Sequence, residues 1–522
     1  MIKKHLLKMF PLAVIAVLAA CGTSEGNGTG TNPANTEETA IQEDRTLTIA
    51  NNADPVSLDP QLVNEGASAL INTQIYETLV SRDVDMNIIP GLATDWEQID
   101  ELTWEFHLRQ GVYFHNGEPF TAKDVEFTLS RALESPVAAA ILGMIDPDGF
   151  EVVDEHTIRI STLEPFAPLL ANLGHSTSFI VSRAAVEEAG SSEAFAEHPI
   201  GTGPFKFISR TRGENIVLER FEGYHGETPQ IAGIVYRIIP EATSRLFSLE
   251  NGEVDIAFGV APSDARRIEQ DENLTLLSRQ NTAVSYIGFN NQMAPFDDVR
   301  VRQAFNYAVD LEGIIASLLE GFGEPALGPL ASTLPMASID VEVYGFDQER
   351  ARELLAEAGI EEGFEVTIWT DQSETNRNIV TAVANQLGQV GINVSIEQFE
   401  WAAYISALDE GNHQMFIMGW TPVTGDADNA LFPLFHSSQW GAPGNRSLFA
   451  NDEVDALIEE ARTTFDESRR AELYHQLQEL LIEEAPWVFL HNGTTLHATR
   501  SDVHGYVPRL NGQQDLSGVY FR

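Results

Sequence analysis

The sequence predicts an α/β fold of two or three domains, and two observations carry this reading. Its 522 residues exceed what a single hydrophobic core serves. Residues 364 to 420 alternate strand and helix patterns: "FEVTIWT", "NRNIVTAVANQLGQVG", "INVSIEQF", "WAAYISALDEG", "QMFIMGW". Such alternation implies parallel strands with right-handed crossovers, and ligands then sit beyond the carboxyl ends of the strands. The loop "GWTPVTGDADNALFPLF" leaves such an end, setting an aromatic plate beside acidic residues.

The elements follow in order. "MIKKHLLKMFPLAVIAVLAAC" has a basic start, an apolar run too short to span a bilayer, and small residues before Cys21, so residues 1–20 read as an export signal. "LAAC" resembles the lipobox of bacterial lipoproteins, which makes Cys21 the expected lipidation site and membrane anchor. It is the only cysteine, so no disulfide is expected. Residues 21–44, rich in Gly, Ser, Thr, Asn and acidic side chains, read as a flexible tether.

The body opens with a strand, "RTLTIAN", then the turn-rich "ADPVSLDPQL" and a helix, "SALINTQIYETLV". "LTWEFHLRQGVYFHNGEPFTAKDVEF" reads as a hairpin with turns at Gly111 and Asn116-Gly117, leading into a helix whose capping box is Thr121 and Asp124. Strands "GTGPFKFISR" and "NIVLERFEGY" follow, the glycines of the first serving a tight turn. Next come a helix closed by Gly252 and a helix with Val301, Ala304, Phe305, Ala308 and Val309 on one stripe. After the alternating region come two helices, the second ended by Pro486, a last strand "WVFLHN" and a polar C-terminal segment.

Charge and motifs exclude several classes. There are 78 acidic against 31 basic residues, a net of −47, which becomes −50 without the three lysines of the signal. Nucleic acid and anionic lipid need a basic face, so neither is an expected partner. Only Lys123 and Lys206 follow the signal, against twenty-six arginines, which points to an alkaline or salty medium. No nucleophile elbow, zinc helix, phosphate loop or S-x-x-K pair is present, so no enzyme and no cofactor is expected. Asp426 and Asp428 fail the calcium-loop spacing, because Ala430 and Leu431 stand where ligand and glycine belong.

Several stretches together resemble the family 5 extracytoplasmic solute-binding proteins of peptide- and nickel-type ABC importers. The most specific is "GLATDWEQIDELTWEFHLRQGVYFHNGEPFTAKDVEFTLSRAL", supported by "SLDPQ", "IYETLV", "GTGPF", "NGEVDIAF", "PFDDVRVRQAFNYAVD" and "ARELLAEAG". The resemblance implies a two-lobed periplasmic-binding-protein type II (Venus flytrap) fold, held outside the cell membrane as a lipoprotein monomer and serving an ABC permease. The first lobe would span 45–281 and 491–522, with an extra subdomain at about 86–199, and the second 282–490.

In peptide-binding relatives an Asp shortly after the tryptophan holds the ligand's ammonium, and Val423 stands at that position here. The loop's spelling is closer to glutathione-binding members, so glutathione or a short peptide is the expected ligand. Glutathione has two carboxylates and one ammonium and needs an anion partner, for which Arg377 is the candidate. Trp420 is read as a stacking plate or core filler, and Asp426 as a ligand contact or turn cap. Asp428 and Asn429 are read as ligand contacts or helix caps, and Tyr286 and Asn290 as cleft residues or ordinary strand positions. Nickel or haem is the minor alternative, with His436 the residue to watch; a sensory receptor or a secreted hydrolase are the others.

Overall fold

The computed structural model describes residues 44–360, 363–441 and 444–522, so the signal, the tether up to residue 43 and Cys21 lie outside the described residues. One large sheet organises the chain. Its spatial order is Ile392–Gln398, Phe364–Thr370, Met415–Trp420, Leu274–Phe289, Trp487–Arg500, Ile256–Phe258, Thr46–Asn51, Gly233–Ile238, Asn215–Arg220 and Phe205–Thr211. Phe364–Thr370 runs parallel to both Ile392–Gln398 and Met415–Trp420, as the alternation requires.

Two long strands carry the sheet from one lobe to the other. Leu274–Phe289 and Trp487–Arg500 pair antiparallel along their length, with a register break between Gln280 and Val284. At the break Asn281 Nδ2 donates to Thr495 Oγ1 (3.2 Å), and a Cβ on Gly493 would lie 2.7 Å from Asn281 Oδ1. The last strand is thus far longer than "WVFLHN" suggested, because its polar half is paired on both sides inside the sheet.

The hydrophobic cores fall on either side of this break. Val366, Ile368, Met415 and Ile417 pack on Ile379, Val383 and Leu387 of the helix Glu374–Gln389. Phe416, Leu431, Leu473, Leu477 and Trp487 build a core on the other face. A sheet covered on both faces needs apolar residues at every position, hence the unbroken "MFIM". Leu47, Ile49, Ile234, Tyr236 and Phe521 form a separate core, which joins the first described strand to the C-terminal residues. A four-stranded antiparallel sheet, Ala93–Gln98, Thr103–Leu108, Thr157–Thr162 and Ile145–Asp154, packs Phe106, Ile158 and Ile160 against Val125 and Leu129. The helix there begins as expected: Asp124 Oδ2 accepts from the Thr121 backbone N–H (3.0 Å) and hydroxyl (2.9 Å).

Two expectations are corrected. The helix Gly66–Ile75 covers only the first part of "SALINTQIYETLV", and Val80–Arg82 is a strand. The "GTGPF" segment explains this: Gly203 N–H donates to Ile75 O (2.9 Å), and Cβ atoms on Gly201 and Gly203 would lie 2.1 and 2.6 Å from the carbonyl oxygens of Ile75 and Gln74. These glycines serve close approach of two backbones and not a tight turn. No helix among the described residues is long and apolar enough to cross a membrane.

Candidate functional site

The loop after Trp420 is built on internal hydrogen bonds. The Trp420 indole N–H donates to Asn429 O (2.8 Å), tying the strand end to the helix Asp428–Phe435. Asp426 Oδ1 accepts from Asp428 N–H (2.8 Å). The same carboxylate takes both guanidinium nitrogens of Arg470, at 2.7 and 2.8 Å, and Arg470 Nη2 also donates to Tyr474 Oη (2.6 Å). Burial alone would raise the Asp426 carboxyl, but Arg470 outweighs it and holds the group below the usual carboxylate range. Asp428 shows the opposite balance: burial pushes it up to about 6, against the field of Arg462 and with that of Asp426. Arg462 Nε stands 3.2 Å from Asp428 Oδ1.

This charged loop lies at the seam between the lobes. Gly425 has φ +68°, and a Cβ there would sit 2.5 Å from Met86 Cε and 3.0 Å from Arg82 Nη1. Beside it, Arg462 stacks over Phe432 at 3.6 Å and lies 5.2 Å from the ring of Phe166. Ala167 N–H donates to Arg462 O (2.7 Å), and the Trp104 and Phe465 rings are 6.3 Å apart. The small-sheet subdomain and the second lobe therefore meet through a backbone hydrogen bond, a cation–π contact and aromatic packing.

Of the residues singled out from the sequence, the structure brings Trp420, Asp426, Asp428 and Asn429 together, with Val423 half-buried in the same loop. It does not bring Tyr286 and Asn290 to them. Tyr286 is buried and stacks face to face on Trp487 at 3.5 Å, filling the second lobe's core. Asn290 Nδ2 donates to Gly411 O (2.9 Å) and His413 O (3.0 Å), bracing a turn. In a strand covered on both faces, alternation cannot separate cleft from core. Arg377 is exposed in the first turn of Glu374–Gln389. His436 is engaged locally, with Ser438 N–H donating to its Nδ1 (3.1 Å) and Glu459 Oε1 3.3 Å from its Nε2.

Arg470, Arg462, Arg82 and Phe166 were not anticipated. One signal existed: Arg470 lies on the stripe of Leu473, Leu477 and Leu481, and an arginine on an apolar stripe needs a buried partner. Among the described residues, a group that could hold a metal ion is Glu97, Glu105 and His107, on the solvent side of the small sheet. Glu105 there already accepts from Arg159 Nε (2.8 Å).

The description "bacterial extracellular solute-binding proteins, family 5 Middle" belongs to the family model that matches residues 87–442. The chain is 32% identical to the dipeptide-binding protein of Escherichia coli (strain K12), covering 91% of this chain and 94% of that one. It is 33% identical to heme-binding protein A of Haemophilus influenzae, covering 97% of each. It is 31% identical to the glutathione-binding protein of Pectobacterium atrosepticum, covering 86% of this chain and 89% of that one. Among solved structures it is similar to the ABC transporter-associated periplasmic binding protein of Helicobacter pylori in complex with the peptide STSA, at 30% identity and TM-score 0.79 over 92% of this chain and 98% of that one. With its two lobes, its crossing strands and these likenesses, the chain belongs to the bacterial extracellular solute-binding proteins of family 5, which bind for transporters and are not enzymes.

Proposed function

We propose that the chain captures a short peptide, with glutathione the preferred ligand, between its lobes and delivers it to the transmembrane subunits of an ABC importer. One observation carries the reading: the loop 421–427 leaves the carboxyl end of a parallel strand in the second lobe and is seated on Arg82 and Met86 of the first. Any opening of the lobes uncovers this loop, and ligand contacts made only on closing then shift the population towards the closed form. Four cores that each stay within one of these ranges support lobes of 45–281 with 491–522, including the subdomain at about 86–199, and 282–490, while Phe322 of the second packs against a fifth core in the first.

The half-buried ring of Trp420 serves as the stacking plate, with Asp426, Asp428 and Asn429 as the base of the loop. Arg377 follows a strand parallel to Met415–Trp420, so both leave the same sheet edge, and it takes a ligand carboxylate. Val423 in place of an acid, together with the relatives named glutathione-binding proteins, favours glutathione over ordinary dipeptides. The protein acts as a monomer on the outer face of the cell membrane, anchored through a lipid on Cys21.

The test is mass spectrometry of the copurifying solute, then calorimetry with reduced and oxidised glutathione and a set of dipeptides and tripeptides. Tight dipeptide binding with no response to glutathione overturns the ligand preference. The second reading, haem, draws on the relative named heme-binding protein A. A haem absorption shift in a protein that ignores every peptide would favour it.

A further inference from the structure

Arg82 is out of keeping with the other arginines of the seam. The residue is almost wholly buried, at 6% exposure. Nη1 donates to Met86 O (2.8 Å) and Nη2 to Ala171 O (3.2 Å), while Nε meets no acceptor. Among the described residues no carboxylate stands within ion-pair distance of it. Asp426 reaches it only through its field, with both oxygens on Arg470, and Asp83 is bound to Asn87 and its own turn. A buried charge with neutral partners alone is costly, and proteins as a rule pair such groups.

Arg82 also lines a polar chamber of about 130 Å³ within the first lobe. The other ions of that chamber have partners. Glu77 holds His225 (2.9 Å) and Tyr224 (3.2 Å), and Asp515 holds Arg509 (2.8 Å), whose Nη1 donates to Arg82 O. The amides of Asn511 and Gln513 complete the polar wall. The volume suits one small ion or a single carboxylate group, well under the roughly 300–1,000 Å³ of pockets that engulf a drug-sized ligand.

We infer that this chamber is a small-anion site, in which a halide-sized ion or one carboxylate group is held beside the Arg82 guanidinium. In a chain of net charge −47, an anion is retained only where a local cation is shielded from the general field. Gly425 rests against Arg82 Nη1, so an anion in the chamber neutralises the residue on which the second lobe sits, and favours contact between the lobes. The inference does not depend on which solute the cleft captures.

The test uses the full chain and Arg82→Gln, with sodium gluconate as the bulky-anion control at equal ionic strength. Crystals soaked in bromide should show an anomalous peak beside Arg82 in the wild type and none in the variant. Bromide or acetate should raise the wild-type thermal midpoint by about 1–3 °C over gluconate. A bromide peak assigns a free anion; a shift with acetate and no bromide peak assigns a carboxylate. No peak and no shift, or equal responses in both proteins, overturns the site. Should Arg82→Gln fail to fold, the wild-type soak and titration decide alone.

Discussion

Two buried arginines lie on opposite sides of one seam and solve burial differently. Arg470, in the second lobe, has a bidentate carboxylate, and although burial works against its charge Asp426 more than restores it, pushing the guanidinium up. Arg82, in the first lobe, has backbone carbonyls only, and burial lowers it to about 10. The difference teaches that the second lobe brings a self-contained charge network to the seam, while the first presents a cation still open to a partner.

The largest effect is expected from breaking the complete pair. Asp426→Ala leaves Arg470 buried without its carboxylate and should cost about 3–5 kcal/mol in urea unfolding. A loss below 1 kcal/mol would show that Arg470 finds another partner or water.

Next comes Asp428, whose raised carboxyl makes the network sensitive to pH. Its folded value of about 6 exceeds the unfolded value of about 3.9, so the folded state holds the extra proton between these values. The stability this contributes is complete below pH ~4 and lost as pH rises through ~6. Relative to Asp428→Asn, the wild type should lose up to about 3 kcal/mol across that window. Parallel stability curves for the two proteins would disprove it; the buried histidines titrate in both and cancel.

Gly425→Ala tests the seam itself. Its added Cβ meets Met86 and Arg82 and must adopt φ +68°, so the contact should weaken by about 1–3 kcal/mol. Small-angle scattering should then show a larger radius of gyration for the variant; an unchanged radius means that the side chains yield. The smallest change is expected from Val423→Asp, less than about 1 kcal/mol in stability at a half-buried loop position. Calorimetry should show dipeptide affinity rising relative to glutathione, and an unchanged preference removes Val423 as a determinant.

The α/β rhythm of 364–420 was legible because strand and helix periods are local properties of the chain. The capping box at Thr121 and Asp124 was legible for the same reason, its partners being three residues apart. Trp420 could be placed at a strand end, but its hydrogen bond to Asn429 O could not. The acidic pair was visible, whereas its arginines lie 44 residues on at Arg470 and 34 on at Arg462, beyond the reach of any local pattern.

The sequence by itself determined the fold class, the family and the loop that leaves the end of a parallel strand after Trp420, because apolar periodicity, turn residues and ordered motifs are written in consecutive positions. Only the tertiary structure decided which charges that loop keeps and which it shares. Ion-pair energies depend on burial and on distances of a few ångströms, and those are set when remote segments pack. Asp426 and Asp428, two residues apart in one loop, shift in opposite directions because at Asp426 the two hydrogen bonds from Arg470 outweigh burial, whereas at Asp428 burial outweighs the single contact with Arg462.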